Sequence, residues 1–121
     1  MGVVYEGFDP FIKRIVAIKT VDKSLLNNAE AQDRLNRFRV EAQAAGRLTH
    51  PNIVAIYEYN EDDQVAFIAM EFIRGKELKA YFDSEQRFQI KDAVSIMSQL
   101  LEALDYSHKF GVVHRDIKPA N

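Results

Sequence analysis

The sequence predicts an α+β fold in which an antiparallel sheet carries one helix and a helical segment follows. Runs rich in valine, isoleucine and aromatic residues occur in two pairs, and a turn signal separates the members of each pair. An apolar stripe with helical spacing lies between the pairs, and a longer one lies after them. Strands grouped apart from helices are typical of α+β folds rather than of alternating α/β folds.

Each pair of β-like runs is expected to form a hairpin. GVVYEGFD and RIVAIKTV flank the turn Asp9-Pro10, and NIVAIYEYN and QVAFIAMEF flank the polar turn NEDD at residues 60–63. The alternation within RIVAIKTV indicates that its Val-Ala-Ile centre is buried. Both pairs are therefore predicted to be antiparallel.

Three helices are predicted, roughly over residues 29–48, 78–82 and 91–109. Gly46 and Pro51 are stop signals for the first of them. The apolar stripe of the first helix is Leu35, Phe38, Ala42 and Ala45, and that of the last helix is Val94, Met97, Leu101 and Leu104, widened by Ile96 and Leu100. Because the last helix is apolar on more than one face, it is expected to have neighbours on more than one side.

The composition excludes several classes of function. The chain has 121 residues with 16 basic and 18 acidic side chains, so its net charge of -2 favours neither a nucleic-acid partner nor a membrane surface. The absence of cysteine excludes disulfides and thiolate metal sites. No signal peptide or apolar stretch of membrane-spanning length is present, which predicts a soluble, cytoplasmic segment.

The final eight residues, HRDIKPAN, carry the densest chemistry in the chain. Pro119 disfavours a helix, so the polar side chains are expected to fan out from an irregular loop. The carboxylate of Asp116 can accept a proton, Lys118 can neutralise phosphate charge, and the amide oxygen of Asn121 can coordinate a hard cation. The alternative interpretation is a solvated polar loop that follows a helix.

These motifs resemble the protein kinases. HRDIKPAN differs from the catalytic-loop pattern H-R-D-L-x-x-x-N only at Ile117, and VAIK matches the kinase strand motif that ends in a lysine, Lys19 here. Glu41, on the border of the first apolar stripe, is the candidate partner of Lys19, although it could be an exposed glutamate, and Glu30 is a rival. RFRVEAQAAGRLTHPNIVAIYEY and RGKEL are most similar to the bacterial branch of eukaryotic-type serine/threonine kinases.

The resemblance implies a kinase N-lobe and hinge at residues 1–73, with the antiparallel sheet and one helix, and the first helices and catalytic loop of the C-lobe at 74–121. It implies that ATP and Mg²⁺ are bound and that serine or threonine hydroxyls of proteins are phosphorylated. Asp116 would orient the substrate hydroxyl and accept its proton, Lys118 would stabilise the transferred phosphoryl group, and Asn121 would hold magnesium.

The nucleotide site implied by the resemblance draws on most of the N-terminal half. Lys19 and Glu41 would position the phosphates. The other implied contacts are Gly2 in the last G-x-V of the glycine-rich loop, Val4 and Ala17 on the adenine faces, Met70 at the back of the pocket, backbone groups of Glu71 and Ile73 at the adenine edge, and Glu77 at the ribose.

The 121 residues lack the first two glycines of the family's phosphate loop and its Asp-Phe-Gly segment. The resemblance therefore implies a fragment with little or no phosphotransfer, self-associating through an exposed 91–109 helix, whose parent could be membrane-anchored elsewhere. A non-catalytic docking or scaffold module is the alternative function. A kinase-like small-molecule phosphotransferase ranks last, because HPNIV and the Lys118-Pro119 pair look more like protein kinases.

Overall fold

A computed structural model describes residues 3–24 and 27–121. The elements in chain order are β1 (Val4–Asp9), β2 (Arg14–Asp22), α1 (Ala29–Gly46), β3 (Ile56–Glu61), β4 (Val65–Glu71), α2 (Leu78–Asp83) and α3 (Ile90–Lys109). The strands form one sheet in the order β1-β2-β4-β3, and all neighbouring strands are antiparallel. The predicted α+β class and both predicted hairpins are confirmed.

The chain divides into two compact units. The first unit is Met1–Thr49 with Val54–Ile73, and the second is His50–Ile53 with Arg74–Asn121. The first unit contains the sheet and α1, and the second contains α2, α3 and the polar loop that follows them. The short segment His50–Ile53 thus belongs to the second unit, although the chain on both sides of it belongs to the first.

The core of the first unit lies between α1 and β4. Leu35, Phe38 and Ala42 of the helix are buried in one cluster with Ala66 and Ile68 of the strand. The predicted stripe is therefore confirmed at these three helix positions, while Ala45 is half-buried. Burial of such a stripe, rather than helix propensity, supplies most of the stability of a helix of this length.

The two ends of α1 follow from local hydrogen bonding. The Asn28 side chain caps the helix by accepting from the N–H of Ala31 at 2.9 Å, which satisfies a donor of the first turn. The helix ends at Gly46, two residues earlier than predicted. The N–H of Leu48 instead donates to Ala45 O at 3.0 Å, a tighter pattern that closes the last turn.

The second unit buries one side of α3 and leaves another side exposed. Ala103 and Ser107 are buried, and the Ser107 hydroxyl donates to Ala103 O at 2.9 Å. Three residues of the predicted stripe are exposed, with 59% for Val94, 50% for Met97 and 58% for Leu101, whereas Leu104 and the widening residues Ile96 and Leu100 are half-buried. The described residues of this unit thus cover one side of the helix and leave another exposed, and the expectation of neighbours on more than one side stays a prediction.

Residues 50–53 are held on α3 by side-chain contacts. The Asn52 amide donates to Gln99 O at 3.1 Å, and the ring centroids of His50 and Tyr106 lie 5.1 Å apart. These contacts explain why β3 begins at Ile56 rather than near Asn52, where the prediction placed it. Among the helices of residues 3–24 and 27–121, none combines the length and apolarity needed to cross a lipid bilayer.

Candidate functional site: a polar loop and a lysine-bearing sheet face

The polar loop follows α3 through a defined reversal of the backbone. Gly111 adopts a φ of 75°, a conformation that suits glycine at a helix C-terminus, and the N–H of Val112 donates back to Ser107 O at 3.0 Å. Arg115 has a φ of 66°, which is unfavourable for a residue with a side chain. Such strain concentrates at functional sites, and here it immediately precedes Asp116.

Three residues predicted as catalytic meet in this loop. The Nζ of Lys118 lies 3.2 Å from Asp116 Oδ2. The side-chain amide of Asn121 donates both to Asp116 O at 2.8 Å and to Asp116 Oδ2 at 3.1 Å. The carboxylate is 64% exposed and the ammonium 52% exposed, so an approaching molecule can reach both. The loop therefore presents an oriented carboxylate beside a cation.

Two contacts of the loop were not predicted from the sequence. The Nδ1 of His114 accepts from the N–H of Asp116 at 3.2 Å, which fixes the backbone at the carboxylate. The N–H of Lys79, in the first turn of α2, donates to Pro119 O at 2.8 Å. The start of α2 thereby anchors the loop. The N–H groups of a first helical turn have no partner within the helix, so one of them is available for this contact, which the residue pattern alone does not reveal.

The pKa of Asp116 lies below its ordinary value, chiefly because Lys118 and then Asn121 hydrogen-bond to its carboxylate. The group is therefore ionised at neutral pH and can accept a hydrogen bond from a hydroxyl. Because folding lowers the pKa of Asp116, these contacts stabilise the folded state at pH values above its ordinary pKa of 3.8. This contribution to stability is lost as the pH falls through the lowered pKa.

We expect Lys118→Met to raise the pKa of Asp116, because it removes the largest cause of the depression. A carboxyl-carbon NMR titration of the folded chain measures this pKa directly. Lys109→Met is the matched control, since Lys109 pairs with Asp105 at 2.8 Å. This substitution should raise the pKa of Asp105 and leave that of Asp116 unchanged. An unmoved Asp116 titration in the Lys118 variant would contradict the assigned contact.

The first unit gathers four predicted nucleotide-site residues on one face of the sheet. The register places Val4 of β1 opposite Lys19 of β2, and Ala17 of β2 opposite Met70 of β4. Residues directly opposite each other share a face, and alternate residues of one strand do as well. Val4 is 60% exposed, whereas the other three are half-buried. This face offers apolar surface next to a lysine.

Glu41, the predicted partner of Lys19, is exposed and forms no ion pair with it in the described residues. The Nζ of Lys19 instead lies 6.0 Å from the centre of the Phe38 ring. Water solvates the exposed carboxylate, so no desolvation cost requires a cation beside it. The pair is therefore not formed in this structure, and its role stays a prediction.

The predicted hinge residues lie at the end of β4 and after it. The N–H of Glu71 donates to Ala55 O at 2.9 Å, and its carboxylate accepts from the N–H of Ala55 at 3.1 Å. The Glu71 N–H is therefore already used within the protein and is not available to a ligand in this structure. Ile73 follows the strand and is 57% exposed. Glu77 precedes α2 without capping it through its side chain, and Gly2 lies outside the described residues.

An ion pair that sequence reasoning missed joins α1 to β3. The Nη2 of Arg39 donates to both carboxylate oxygens of Glu61, at 2.9 and 2.8 Å, and Lys23 Nζ lies 3.5 Å from Glu61 Oε2. These contacts lower the pKa of Glu61, with the Arg39 hydrogen bond as the largest cause. The partners are 22 residues apart in the chain, so no periodicity could have indicated the pair.

The capacity of the chain to hold a metal ion depends on its side-chain donor groups. In the described part of the chain no group of three or more histidine and acidic side chains could hold a metal ion. At Asn121 the amide nitrogen is used by Asp116, which leaves the amide oxygen for a hard cation. Magnesium commonly takes only one or two protein oxygens together with substrate phosphates, so Asn121 fits such a role.

Comparison with known proteins gives one family. The family model described as "Protein kinase domain" matches residues 1–121. Over the whole chain, identity is 41% to the serine/threonine-protein kinase PrkC of Bacillus subtilis and 40% to the serine/threonine-protein kinase PknD of Mycobacterium tuberculosis. It is 38% to the probable serine/threonine-protein kinase PknB of Lactococcus lactis. The chain spans 18%, 18% and 19% of the lengths of these three relatives, respectively.

Proposed function

Because the chain belongs to the protein kinase domain family, we propose that the protein transfers the γ-phosphoryl group of ATP to serine or threonine hydroxyls of proteins. The observation that carries this proposal is the contact of Asp116 with both Lys118 and Asn121 in one exposed loop. The names of the relatives, which are serine/threonine kinases, support the choice of acceptor.

In the proposed reaction Asp116 receives a hydrogen bond from the substrate hydroxyl and accepts its proton as the oxygen attacks. Lys118, 3.2 Å from that carboxylate, neutralises charge on the phosphoryl group in transit. Asn121 holds Asp116 in place through two hydrogen bonds and offers its amide oxygen to Mg²⁺. The metal ion, when bound, supplies further charge neutralisation at the phosphates.

The nucleotide would contact the sheet face of the first unit. Lys19 would bind its phosphates with Glu41 as orienting partner, and Val4, Ala17 and Met70 would line the adenine. The Glu71 carbonyl and the Ile73 backbone would meet the adenine edge, and Glu77 would meet the ribose. The sheet face that the lysine shares with the three adenine-lining residues supports the assignment. ATP as donor leads us to propose a cytoplasmic location for this segment.

The test is a transfer assay with γ-labelled ATP, Mg²⁺ and casein, using the protein as the cell makes it. We expect label on casein that acid hydrolysis recovers as phosphoserine or phosphothreonine. We expect little or no transfer by the 121-residue polypeptide alone, since it contains no Asp-Phe-Gly, the segment that supplies the family's other magnesium ligand. No label from the cell-made protein would contradict the proposal.

A non-catalytic docking module is the second candidate. The specific observation in its favour is that Lys19 and Glu41 are not paired. An active phosphate-binding site of this family requires that the lysine and the glutamate form an ion pair. In that case the protein should fail to transfer label from ATP and yet keep its cellular partner after Asp116→Asn.

Self-association of the 121-residue polypeptide is expected through α3, because four large apolar side chains, Ile90, Val94, Met97 and Leu101, are exposed on one side of it. Sedimentation velocity from micromolar to near-millimolar concentration measures the mass. Met97→Glu should shift the distribution towards monomer, and Ser95→Glu, which adds the same charge outside the stripe, should not. A monomeric wild-type mass at the highest concentration would contradict this expectation.

A further inference from the structure

We propose that the tip of the hairpin formed by β1 and β2, residues 10–13, binds the headgroup region of an anionic phospholipid bilayer. Phe11 is 96% exposed and Ile12 is 55% exposed, so two large apolar side chains stand together at the end of the hairpin. Lys13 and Arg14, which follow them, are exposed as well. Apolar side chains beside cations suit the boundary between acyl chains and phosphate headgroups. The cluster is local, so the net charge of -2 for the whole chain does not reveal it.

The turn uses the N–H donors of its apolar tip internally. A polar backbone group that enters lipid without a partner carries a large desolvation cost. Pro10 has no N–H. Asp9 Oδ1 accepts from the N–H of Phe11 at 2.9 Å and from the N–H of Ile12 at 3.3 Å. The N–H donors of these three tip residues are therefore absent or already bonded, and the tip can leave water without stranding them.

The two cations beside the tip are available to lipid phosphates. Neither forms an ion pair with a residue that the structure describes. The Cζ of Arg14 lies 3.5 Å from the centre of the Tyr57 ring, and Tyr57 is 39% exposed. Tyrosine is itself enriched at membrane–water interfaces. Asp9, opposite Arg14 in the hairpin, is half-buried and bonded to the turn. With one carboxylate against two cations, the tip carries a net positive charge.

The backbone at Lys13 is a second indication of function. Its φ is 52°, a conformation that suits glycine or asparagine and strains a residue with a long side chain. Because no ion pair within residues 3–24 and 27–121 offsets this cost, the lysine does not repay it in the folded chain. Strain of this kind is typical of positions that serve binding. A phosphate outside the protein is the partner that the exposed ammonium fits.

The shape of the tip favours a bilayer over a second copy of the chain. The exposed side chains of Phe11 and Ile12 offer roughly 300 Å² of apolar surface, whereas each partner in a stable protein–protein interface buries about 800 Å². A bilayer needs no complementary groove, because its headgroup layer deforms around a protruding side chain. A tip-to-tip contact between two copies would also bring their cations together.

The test measures the partition of the 121-residue chain onto sedimenting vesicles of phosphatidylcholine that contain about one third phosphatidylglycerol. Vesicles of pure phosphatidylcholine are the reference. We expect binding to the anionic vesicles that exceeds the reference and weakens as the salt concentration rises. Phe11→Ser should lower the partition coefficient about fivefold to tenfold. Lys13→Asn should lower it about fivefold.

Matched control variants separate the tip from the rest of the surface. Val40→Ser and Arg37→Gln remove an exposed apolar side chain and an exposed cation from α1, in the same unit, and should leave the partition unchanged. Met97→Glu places a charge on the exposed apolar side of α3 and should also leave it unchanged. Lys13→Asn should not lower the free energy of unfolding, because asparagine adopts a positive φ more readily than lysine. A loss of binding in that variant is then not a loss of folding.

A fluorescent probe locates the contact. The 121 residues contain no cysteine, so Ile12→Cys provides a single attachment point for an environment-sensitive fluorophore. We expect its emission to shift to the blue when anionic vesicles are added. The same fluorophore attached after Val40→Cys, on the exposed side of α1, should show no shift.

Three results would overturn the proposal. The first is equal partition onto anionic and neutral vesicles. The second is a loss of binding in Met97→Glu as large as that in Phe11→Ser, which would assign the contact to α3. The third is a sedimentation mass that Phe11→Ser lowers in the absence of lipid while vesicle binding is unchanged, which would assign the tip to a second copy. The measurements use no ATP, so this inference and the proposed function fail or stand separately.

Discussion

Replacement of Asp116 by asparagine is expected to lower the rate of phosphotransfer about 10²- to 10⁴-fold in the protein as the cell makes it. The amide keeps the shape of the carboxylate and can still be held by Asn121, but it cannot accept the proton of the substrate hydroxyl. Steady-state kinetics with saturating ATP measure the loss. We expect it in kcat rather than in the KM for ATP, because Asp116 is assigned to the acceptor hydroxyl.

Asp105→Asn is the matched control for this effect. Asp105 is also an exposed aspartate that pairs with a lysine, Lys109 at 2.8 Å, but it lies on α3 outside the polar loop. Its replacement should leave kcat unchanged. A kinase that keeps its full rate after Asp116→Asn would contradict the role of this carboxylate.

The largest expected effect on stability comes from Leu35→Ala, which should lower the free energy of unfolding by about 2–5 kcal/mol. Leu35 is 2% exposed at the centre of the contact between α1 and β4, so its truncation leaves a cavity that the sheet cannot easily fill. Urea unfolding followed by circular dichroism gives the difference between wild type and variant.

Val40→Ala is the control on the same helix. Val40 lies on the far side of α1 and is 63% exposed, so its truncation should change the free energy of unfolding by no more than about 0.5 kcal/mol. Equal losses in the two variants would mean that α1 does not pack through the face described above.

Periodicity was sufficient to predict the elements that pack through one continuous face. The spacing of Leu35, Phe38 and Ala42 identified the buried side of α1, because one stripe meets one continuous surface, formed by β4 together with Ile56 and Tyr59 of β3. On α3 the predicted widening residues Ile96 and Leu100 are half-buried, whereas Val94, Met97 and Leu101 of the main stripe are exposed. A helix with several apolar faces does not reveal which of them the chain covers.

The polar loop was predictable because its residues are close in sequence. Asp116, Lys118 and Asn121 lie within six residues, and a single irregular turn brings them into contact. The contacts of Lys79 with Pro119 and of Glu61 with Arg39 join residues that are far apart in the sequence. No sequence pattern indicates them, because a helix N–H or a charge on a strand can pair with many different neighbours. The pairing of Lys19 with Glu41, inferred from the resemblance, stays a prediction, since the two side chains form no ion pair in the described residues.

The membership of His50–Ile53 in the second unit has a consequence for dissecting the protein. A cut between residues 73 and 74 would yield an N-terminal piece that still carries these four residues but lacks Gln99 and Tyr106, their partners on α3. The complementary piece would lack a strip of its own surface. Neither unit is therefore encoded by one continuous stretch of the gene. A single recombination crossover after Ile73 would transfer His50–Ile53 with the first unit and separate them from the rest of the second.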